Sequence, residues 1–211
     1  MSNEVATQIA KHLLDIKAVK LSPVEPFTWT SGWRSPIYCD NRVTLSHHTI
    51  RTYIKNELVN AIKSNFDGVT AIAGVATAGI AQGALVADAM QLPYAYVRPE
   101  PKKHGMKNQI EGKLPEGSNV VVIEDLISTG GSSLKAIEAL REEGFNVLGL
   151  AAIFTYGFDL ASQQFEAANC KMITLSNYNV LLKVAVELKY IDESILGDLS
   201  DWRSNPSGWR Q

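Results

Sequence analysis

The spacing of hydrophobic residues changes along the chain, and this change predicts the order of helices and strands. In residues 3–19 the apolar side chains recur at helical spacing, which predicts an amphipathic helix. Residues 46–65 predict a second helix. Between these helices, residues 21–42 are rich in proline, serine, threonine and aromatic side chains. That composition predicts turns and a short hairpin, with Gly32 as the turn residue.

From residue 69 onward, short apolar runs alternate with helical segments. Five runs have the length and composition of buried strands: 69–75, 93–98, 119–125, 146–155 and 171–177. Helices are predicted at 79–90 and at 132–144, the second ending at Gly144 in the C′ position. Such alternation predicts an α/β fold with a central, mainly parallel five-stranded sheet and flanking helices.

In sheets of this kind, ligands bind beyond the carboxyl ends of the strands. Three polar segments follow predicted strands directly, at residues 75–79, 98–105 and 124–132. We therefore expect them to meet at one edge of the sheet and to contain the functional site.

The composition is that of an ordinary globular protein, with 45% hydrophobic and 20% charged residues among 211. This length suits a single domain spanning 1–211, with a hood mainly from residues 20–45 and a core from about 60 to 180. A formal net charge of −2 disfavours nucleic acid as a partner, so any anion site must be built locally.

The cysteine content and the N-terminus favour a cytoplasmic location. Cys39 and Cys170 are far apart and have no metal-ligand spacing, which favours a reducing compartment. The N-terminal residues lack the pattern of a signal peptide, and no apolar run is long enough to predict a membrane span.

The stretch from Val121 to Ser133 combines three features of an anion site. A buried strand ends in the adjacent carboxylates Glu124 and Asp125, and a small-residue loop, residues 128–132, then leads into a helix. Backbone N–H groups in such a loop can converge on a phosphate, and the helix N-terminus adds favourable partial charge. The structural alternative is a tight turn in which Ser132 is only an N-cap.

This 13-residue string resembles the phosphoribosyl pyrophosphate (PRPP) signature of type I phosphoribosyltransferases. The resemblance implies the fold of that family. It also implies that PRPP contacts the whole stretch: Glu124, Asp125, Leu126, Ile127, Ser128, Thr129, Gly130, Gly131 and Ser132.

A basic segment, residues 98–107, follows the second core strand. Its motif R-x-x-x-K-K-H-G resembles the catalytic loop of orotate phosphoribosyltransferases, which implies catalytic roles for Arg98, Lys102, Lys103 and His104. Arg98, Lys102 and His104 would contact PRPP. The resemblance also implies a homodimer with shared active sites, and Mg²⁺ held mainly by PRPP and water rather than by protein ligands. The alternative is a solvated charged surface.

The N-terminal segment resembles the same family through F-T-x-x-S-G-x-x-S-P-x-Y-x-D. In that family it closes over orotate, which implies that Tyr38, Cys39 and Ser128 contact the base, with Ser31 and Ser35 nearby. Ordinary hydrophobic packing is the alternative for the aromatic residues here. The expected function is transfer of the 5-phosphoribosyl group of PRPP to N1 of orotate in pyrimidine (UMP) biosynthesis.

Some features leave alternatives open. The chain has Thr30 where many family members have a lysine, so the partner of the orotate carboxylate is unassigned; Arg34 and Arg42 are candidates by charge alone. A phosphoribosyltransferase for another base, or a PRPP-sensing regulator, would share the signature. The regulator would need a basic face that the net charge does not favour. The tail, residues 199–211, could pack on the hood, join a dimer interface or be frayed.

Overall fold

The computed structural model describes residues 2–29, 31–100 and 109–210. The N-terminal part contains helix α1 (Asn3–Asp15), strands β1 (Val19–Leu21), β2 (Phe27–Thr28), β3 (Arg34–Ser35) and β4 (Ile37–Cys39), a 3-10 helix (Asn41–Ser46) and helix α2 (His48–Asn65). The core continues with β5 (Ala71–Val75), α3 (Gly79–Met90), β6 (Tyr94–Val97), β7 (Ile110–Glu111), β8 (Asn119–Ile127), α4 (Gly131–Glu142), β9 (Asn146–Thr155), α5 (Asp159–Ala167), β10 (Lys171–Asn177) and α6 (Tyr178–Glu187). A 3-10 turn (Glu193–Ile195) leads into α7 (Leu196–Ser204).

The central sheet has six strands in the order β10-β9-β8-β5-β6-β7. The first five are parallel to one another and correspond to the five strands predicted from the sequence. The prediction of a five-stranded sheet missed β7, which pairs antiparallel with β6 at the edge. Two residues are too few to show an alternating pattern, so the sequence carries no signal for this strand.

Apolar cores cover both faces of the sheet. Because side chains alternate along a strand, Val121 and Ile123 of β8 join one core while Val120 and Val122 join the other. Helices α1, α2, α3 and α6 contribute to the first core, and α4 and α5 to the second. Burial on both faces explains why these strands read as continuous apolar runs.

The first helix is shorter than predicted. It ends at Asp15 rather than near residue 19, because Lys17 has a positive φ of 57° that turns the chain. Val19 then pairs with Cys39 in the β1–β4 ladder. By contrast, Gly144 (φ 82°) follows the end of α4 as predicted.

The hood, residues 20–45, contains the predicted short hairpin. Strands β2 and β3 pair antiparallel, and Gly32 has the positive φ of 88° that a turn residue needs. The C-terminal helix packs against this hood, where the indole N–H of fully buried Trp202 donates to the Arg34 carbonyl at 3.2 Å. Within the described parts of the chain, every helix is too short or too polar to cross a membrane.

Candidate active site

The acidic pair lies inside strand β8 rather than at its end. The strand runs to Ile127, two residues past the predicted end, and keeps its pairing with β9 through Ile127 and Thr155. Tyr156 N–H and the Thr155 hydroxyl both donate to the Ile127 carbonyl, at 3.1 Å each. These bonds fix the carboxylates on a rigid element at the carboxyl edge of the sheet.

Glu124 is a buried carboxyl group, only 5% exposed. One of its oxygens accepts the Asp125 N–H at 3.0 Å, and the other accepts the Ser133 hydroxyl at 3.1 Å. Burial raises the pKa of Glu124 well above its ordinary value, and the neighbouring Asp125 charge raises it further. Burial also raises the pKa of Asp125. Two adjacent carboxyl groups whose pKa values are both raised are typical of a functional site.

We expect Glu124→Gln to stabilise the free protein near neutral pH. Glutamine can accept the Asp125 N–H through its oxygen and donate to Ser133 through its nitrogen, so both bonds survive. Because the pKa is higher in the folded state, the folded protein binds more protons, and Glu124 lowers stability as pH rises from its ordinary pKa toward the raised value. Glutamine does not ionise, so the variant does not undergo this loss of stability.

The measurement is urea unfolding at a series of pH values from acidic to neutral. The stability gained by Glu124→Gln should shrink as pH falls toward the ordinary glutamate pKa. Glu138→Gln, the same change at an exposed position on α4, provides the control. A Glu124→Gln protein less stable than the wild type at neutral pH would contradict the prediction.

The small-residue loop leads directly into α4. Its Gly130 is the N-cap residue, has a φ of 86°, and has no side chain to cap the first N–H groups of the helix. Ser132 lies exposed in the first turn and is not the N-cap, so the structural alternative for this residue is wrong. A Cβ at position 130 would lie 2.8 Å from the Phe165 ring, so glycine is also required sterically. The loop therefore leaves helix amides available to an anion.

The start of α3 closes the other side of the acidic pair. A Cβ on Gly79 would lie 2.5 Å from the Ile123 carbonyl oxygen and 3.4 Å from a Glu124 carboxylate oxygen. Glycine therefore allows the helix to begin directly against strand β8. The short connection that precedes it contains a cis peptide bond between Ala76 and Thr77.

Arg98 lies where the basic segment leaves the sheet. Its N–H donates to the Gln109 carbonyl, and the Gln109 side chain donates back to the Arg98 carbonyl, both at 2.9 Å. Its guanidinium lies 3.3 Å from a Glu111 carboxylate oxygen. Arg98 and Ser132 share a cavity of about 270 Å³, so the structure brings Arg98 to the small-residue loop. Lys102, Lys103 and His104 lie outside the described residues.

A second cavity, of about 570 Å³, lies between the hood and the small-residue loop. We call this cavity the base pocket after the sequence prediction that Tyr38, Cys39 and Ser128 contact a base, and the cavity brings these three residues together. Its other lining residues are uncharged and come from the hood, β8, the small-residue loop and the residues after β9: Thr28, Trp29, Ser31, Trp33, Leu126, Thr129 and Tyr156.

Tyr156 is a pocket residue that sequence reasoning missed. It stacks on Trp29, with ring centroids 5.3 Å apart and an interplanar angle of 28°. Trp29 therefore both packs and lines the pocket, and its indole N–H donates to the Ile37 carbonyl at 3.2 Å. Tyr156 follows the fourth predicted strand, and the rule that sites lie beyond carboxyl ends could have found it.

Asn41 is a second residue that the sequence did not reveal. Its side chain is 1% exposed, and its amide donates to the Asp125 carbonyl at 2.7 Å. Its side-chain oxygen lies 3.5 Å from the Cys39 sulfur, which is positioned to donate. Burial raises the pKa of the Cys39 thiol, and the nearby Asp125 and Asp40 charges raise it further, so the thiol keeps its proton. Asn41 thus joins the base pocket to the acidic strand.

Three other hood residues considered from the sequence, Ser35, Arg34 and Arg42, do not line the base pocket. Ser35 is fully buried and bonds to the Ile37 backbone, at 2.8 and 3.2 Å, outside the pocket lining. Arg42 pairs with Asp40 at 2.6 Å, and its hydrogen bonds lower the Asp40 pKa. Arg34 is exposed and is not among the lining residues either.

Across the described ranges, no group of three or more acidic, histidine or cysteine side chains is placed to hold a metal ion.

Comparisons with known proteins agree over nearly the whole chain. A family model, the phosphoribosyl transferase domain, matches residues 45–188. Orotate phosphoribosyltransferase of Cytophaga hutchinsonii is 55% identical over 204 residues, 97% of this chain and 98% of that protein. The Bacteroides thetaiotaomicron enzyme is 54% identical over 95% of this chain and 94% of its own. The crystal structure of orotate phosphoribosyltransferase from Aeropyrum pernix is 30% identical, with a TM-score of 0.75 over 87% of this chain and 99% of that one.

Proposed function

The chain belongs to the orotate phosphoribosyltransferase family, and we propose on that basis how its cleft carries out the family's reaction. The enzyme is a pentosyltransferase that transfers the 5-phosphoribosyl group of PRPP to N1 of orotate. The products are orotidine 5′-monophosphate and pyrophosphate, in pyrimidine biosynthesis. The observation that carries the proposal is the base pocket, which opens onto the small-residue loop through Ser128 and Thr129.

The donor is bound along the end of β8 and the start of α4. N–H groups of the small-residue loop and the α4 N-terminus bind the 5′-phosphate, since the N-cap residue supplies no competing side chain. The Glu124 and Asp125 carboxylates accept hydrogen bonds from the ribose hydroxyls. The proposed PRPP contacts comprise the whole stretch Glu124–Ser132 together with Arg98, Lys102 and His104.

The leaving group requires positive charge. Breaking the bond between ribose C1 and pyrophosphate places growing negative charge on the pyrophosphate, which cations can stabilise. Arg98 at the shared cavity and Lys102, Lys103 and His104 of the basic segment supply this charge. A segment that closes over the donor also excludes water, which would otherwise hydrolyse PRPP.

A magnesium ion fits this site as a partner of the donor. Glu124 and Asp125 are adjacent oxygen donors at the site, the ligand type that Mg²⁺ prefers, and Mg²⁺ commonly binds through few carboxylates plus phosphate and water. Bound mainly by PRPP and water, Mg²⁺ would neutralise part of the charge on the diphosphate. Nothing in the reaction requires a covalent enzyme intermediate, because positioning and charge stabilisation supply the rate.

The acceptor base lies in the base pocket. The Trp29–Tyr156 stack provides an apolar wall for a planar ring, while Ser128 and the Tyr38–Cys39 backbone provide polar contacts. Ser128 belongs to both the base pocket and the small-residue loop, so it is the residue at which donor and acceptor meet. Tyr38 is 42% exposed, which places it at the pocket mouth.

The assembly and location of the enzyme are further parts of the proposal. The motif R-x-x-x-K-K-H-G supports a homodimer in which each basic segment acts at the partner's site. The whole chain then works as one phosphoribosyltransferase domain, with the hood over the base. The free Cys39 and Cys170 thiols support a reducing, cytoplasmic location.

The test is a panel of bases incubated with PRPP and Mg²⁺. Orotate absorbance is expected to fall with stoichiometric release of pyrophosphate, whereas uracil, adenine and hypoxanthine remain unchanged. Turnover of hypoxanthine or uracil with none of orotate would contradict the proposed acceptor. Binding of PRPP without turnover of any base would support a PRPP-sensing regulator instead.

A further inference from the structure

The C-terminal segment, residues 196–210, contacts the two walls of the base pocket through backbone carbonyls. The Trp202 indole N–H donates to Arg34 of the hood at 3.2 Å. The Arg203 guanidinium donates to Gly157, directly after Tyr156, at 3.1 Å. The Arg210 guanidinium donates to Pro23, before the hood hairpin, at 2.6 Å. Three side chains of one segment therefore hold both the hood and the residues after β9.

Trp202 lies directly behind the aromatic wall of the pocket. It is fully buried, and its ring meets Trp29 edge-on at 5.7 Å and Tyr156 edge-on at 5.6 Å. Trp202 does not line the pocket, so it acts on the base only through these two residues. Its position fixes the orientation of the stacked pair.

Arg203 approaches the pocket from a different side. It lines a small cavity of about 220 Å³ together with Trp33 and Thr129, both of which also line the base pocket. Its bond to the Gly157 carbonyl restrains the residue that follows Tyr156. A change at Arg203 therefore reaches the pocket wall without removing a group that lines the pocket.

Arg210 ties the end of the segment to the hood. It pairs with Asp198 at 2.8 Å and lies 4.5 Å from the Trp209 ring centre. The Trp209 indole N–H donates to the same Asp198 carboxylate at 3.0 Å. Exposed ion pairs of this kind contribute little to global stability, so this contact is suited to positioning rather than to folding.

The hood needs such support because its strands are short. Strands β2 and β3 have two residues each, and an isolated hairpin of that size is not stable in water. The family model matches 45–188, so it leaves out all but the last residue of the hood and the whole C-terminal segment. The two parts that pack on each other thus lie outside the shared phosphoribosyltransferase core, and next to the acceptor base.

We infer that the C-terminal segment is a positioning element for the acceptor base, in which Trp202, Arg203 and Arg210 set the spacing between the hood and Tyr156. The inference rests on the proposed function, because it assigns the base pocket to orotate. It distinguishes the two substrates: the three hydrogen bonds go to the hood and to Gly157, and none goes to β8 or α4, so the fit of the base should change more than the fit of PRPP.

The experiment measures KM for orotate and for PRPP in Arg203→Ala and Arg210→Ala. Each variant loses a hydrogen bond to a hood or pocket backbone, so KM for orotate is expected to rise about two- to tenfold, with KM for PRPP unchanged. Arg203→Lys keeps an N–H donor and should restore part of the orotate affinity. Trp202→Phe keeps an aromatic ring but cannot donate to Arg34, and it should show the same preference for orotate.

Arg141→Ala is the matched control. Arg141 also donates to backbone carbonyls, those of Ala168 and Asn169 at 2.8 and 3.2 Å, but its contacts lie outside the base pocket. Its KM for orotate should equal that of the wild type. Equal rises in both KM values, or no rise in any C-terminal variant, would overturn the inference. A wild-type protein inactive on orotate would instead overturn the proposed function.

Discussion

Replacing Lys102 with alanine is expected to lower kcat by about 10²- to 10³-fold, the usual effect of removing one group that stabilises developing negative charge. The charge on pyrophosphate is larger in the transition state than in bound PRPP. Loss of the lysine should therefore reduce turnover far more than PRPP affinity. Initial rates at saturating substrates, combined with calorimetric titration of PRPP, separate the two effects.

Lys113→Ala provides the control for this prediction. Lys113 is an exposed lysine just beyond β7, so its removal changes the net charge equally without touching the motif. Its kcat should match the wild type. Unchanged turnover in Lys102→Ala would refute the catalytic assignment and favour the view that the basic segment is only a solvated charged surface.

The core of the fold could be predicted because its signals are local. Strands β5, β6, β8, β9 and β10 are apolar runs bounded by turn residues, and each predicted run contains the observed strand or most of it. Their order in sequence also placed the acidic pair, the small-residue loop and Arg98 at one edge. The cavity shared by Arg98 and Ser132 agrees with that placement.

The missed residues depend on contacts between distant parts of the chain. Asn41 bonds to Asp125 across 84 positions, and Trp202 bonds to Arg34 across 168. Neither contact leaves a periodic trace in the sequence, because each depends on how the hood packs on the completed core. The sequence left three possible roles open for the tail, residues 199–211, because only the packing of the folded chain distinguishes them.

The hood could be predicted from the sequence only in part. Gly32 and the polar composition were enough to predict the hairpin, and the motif was enough to single out Tyr38 and Cys39, which line the base pocket. The role of Trp29 could not be derived, since a half-buried tryptophan serves equally well in packing or in binding. In the structure Trp29 packs on Tyr156 and also lines the base pocket.

Asp125→Ala is expected to lower kcat/KM for PRPP by about 10- to 100-fold, the range for losing a hydrogen bond to a charged group. The fold should tolerate this change. Asn41 bonds to the backbone of Asp125, which alanine retains, and removal of the charge relieves the repulsion that raises the Glu124 pKa. KM for orotate should change little. Asp88→Ala, at an exposed position on α3, should behave like the wild type.

The same variant tests the proposed sharing of active sites. If Lys102 acts in the partner's site, a mixed dimer of Lys102→Ala and Asp125→Ala subunits contains one site with both defects and one intact site. Random coexpression makes half of the dimers mixed, so activity should recover to about a quarter of the wild-type value. If each subunit used its own lysine, every site in the mixed dimer would carry one defect. Activity would then stay at the level of the separate variants, because no combination of chains could assemble an intact site.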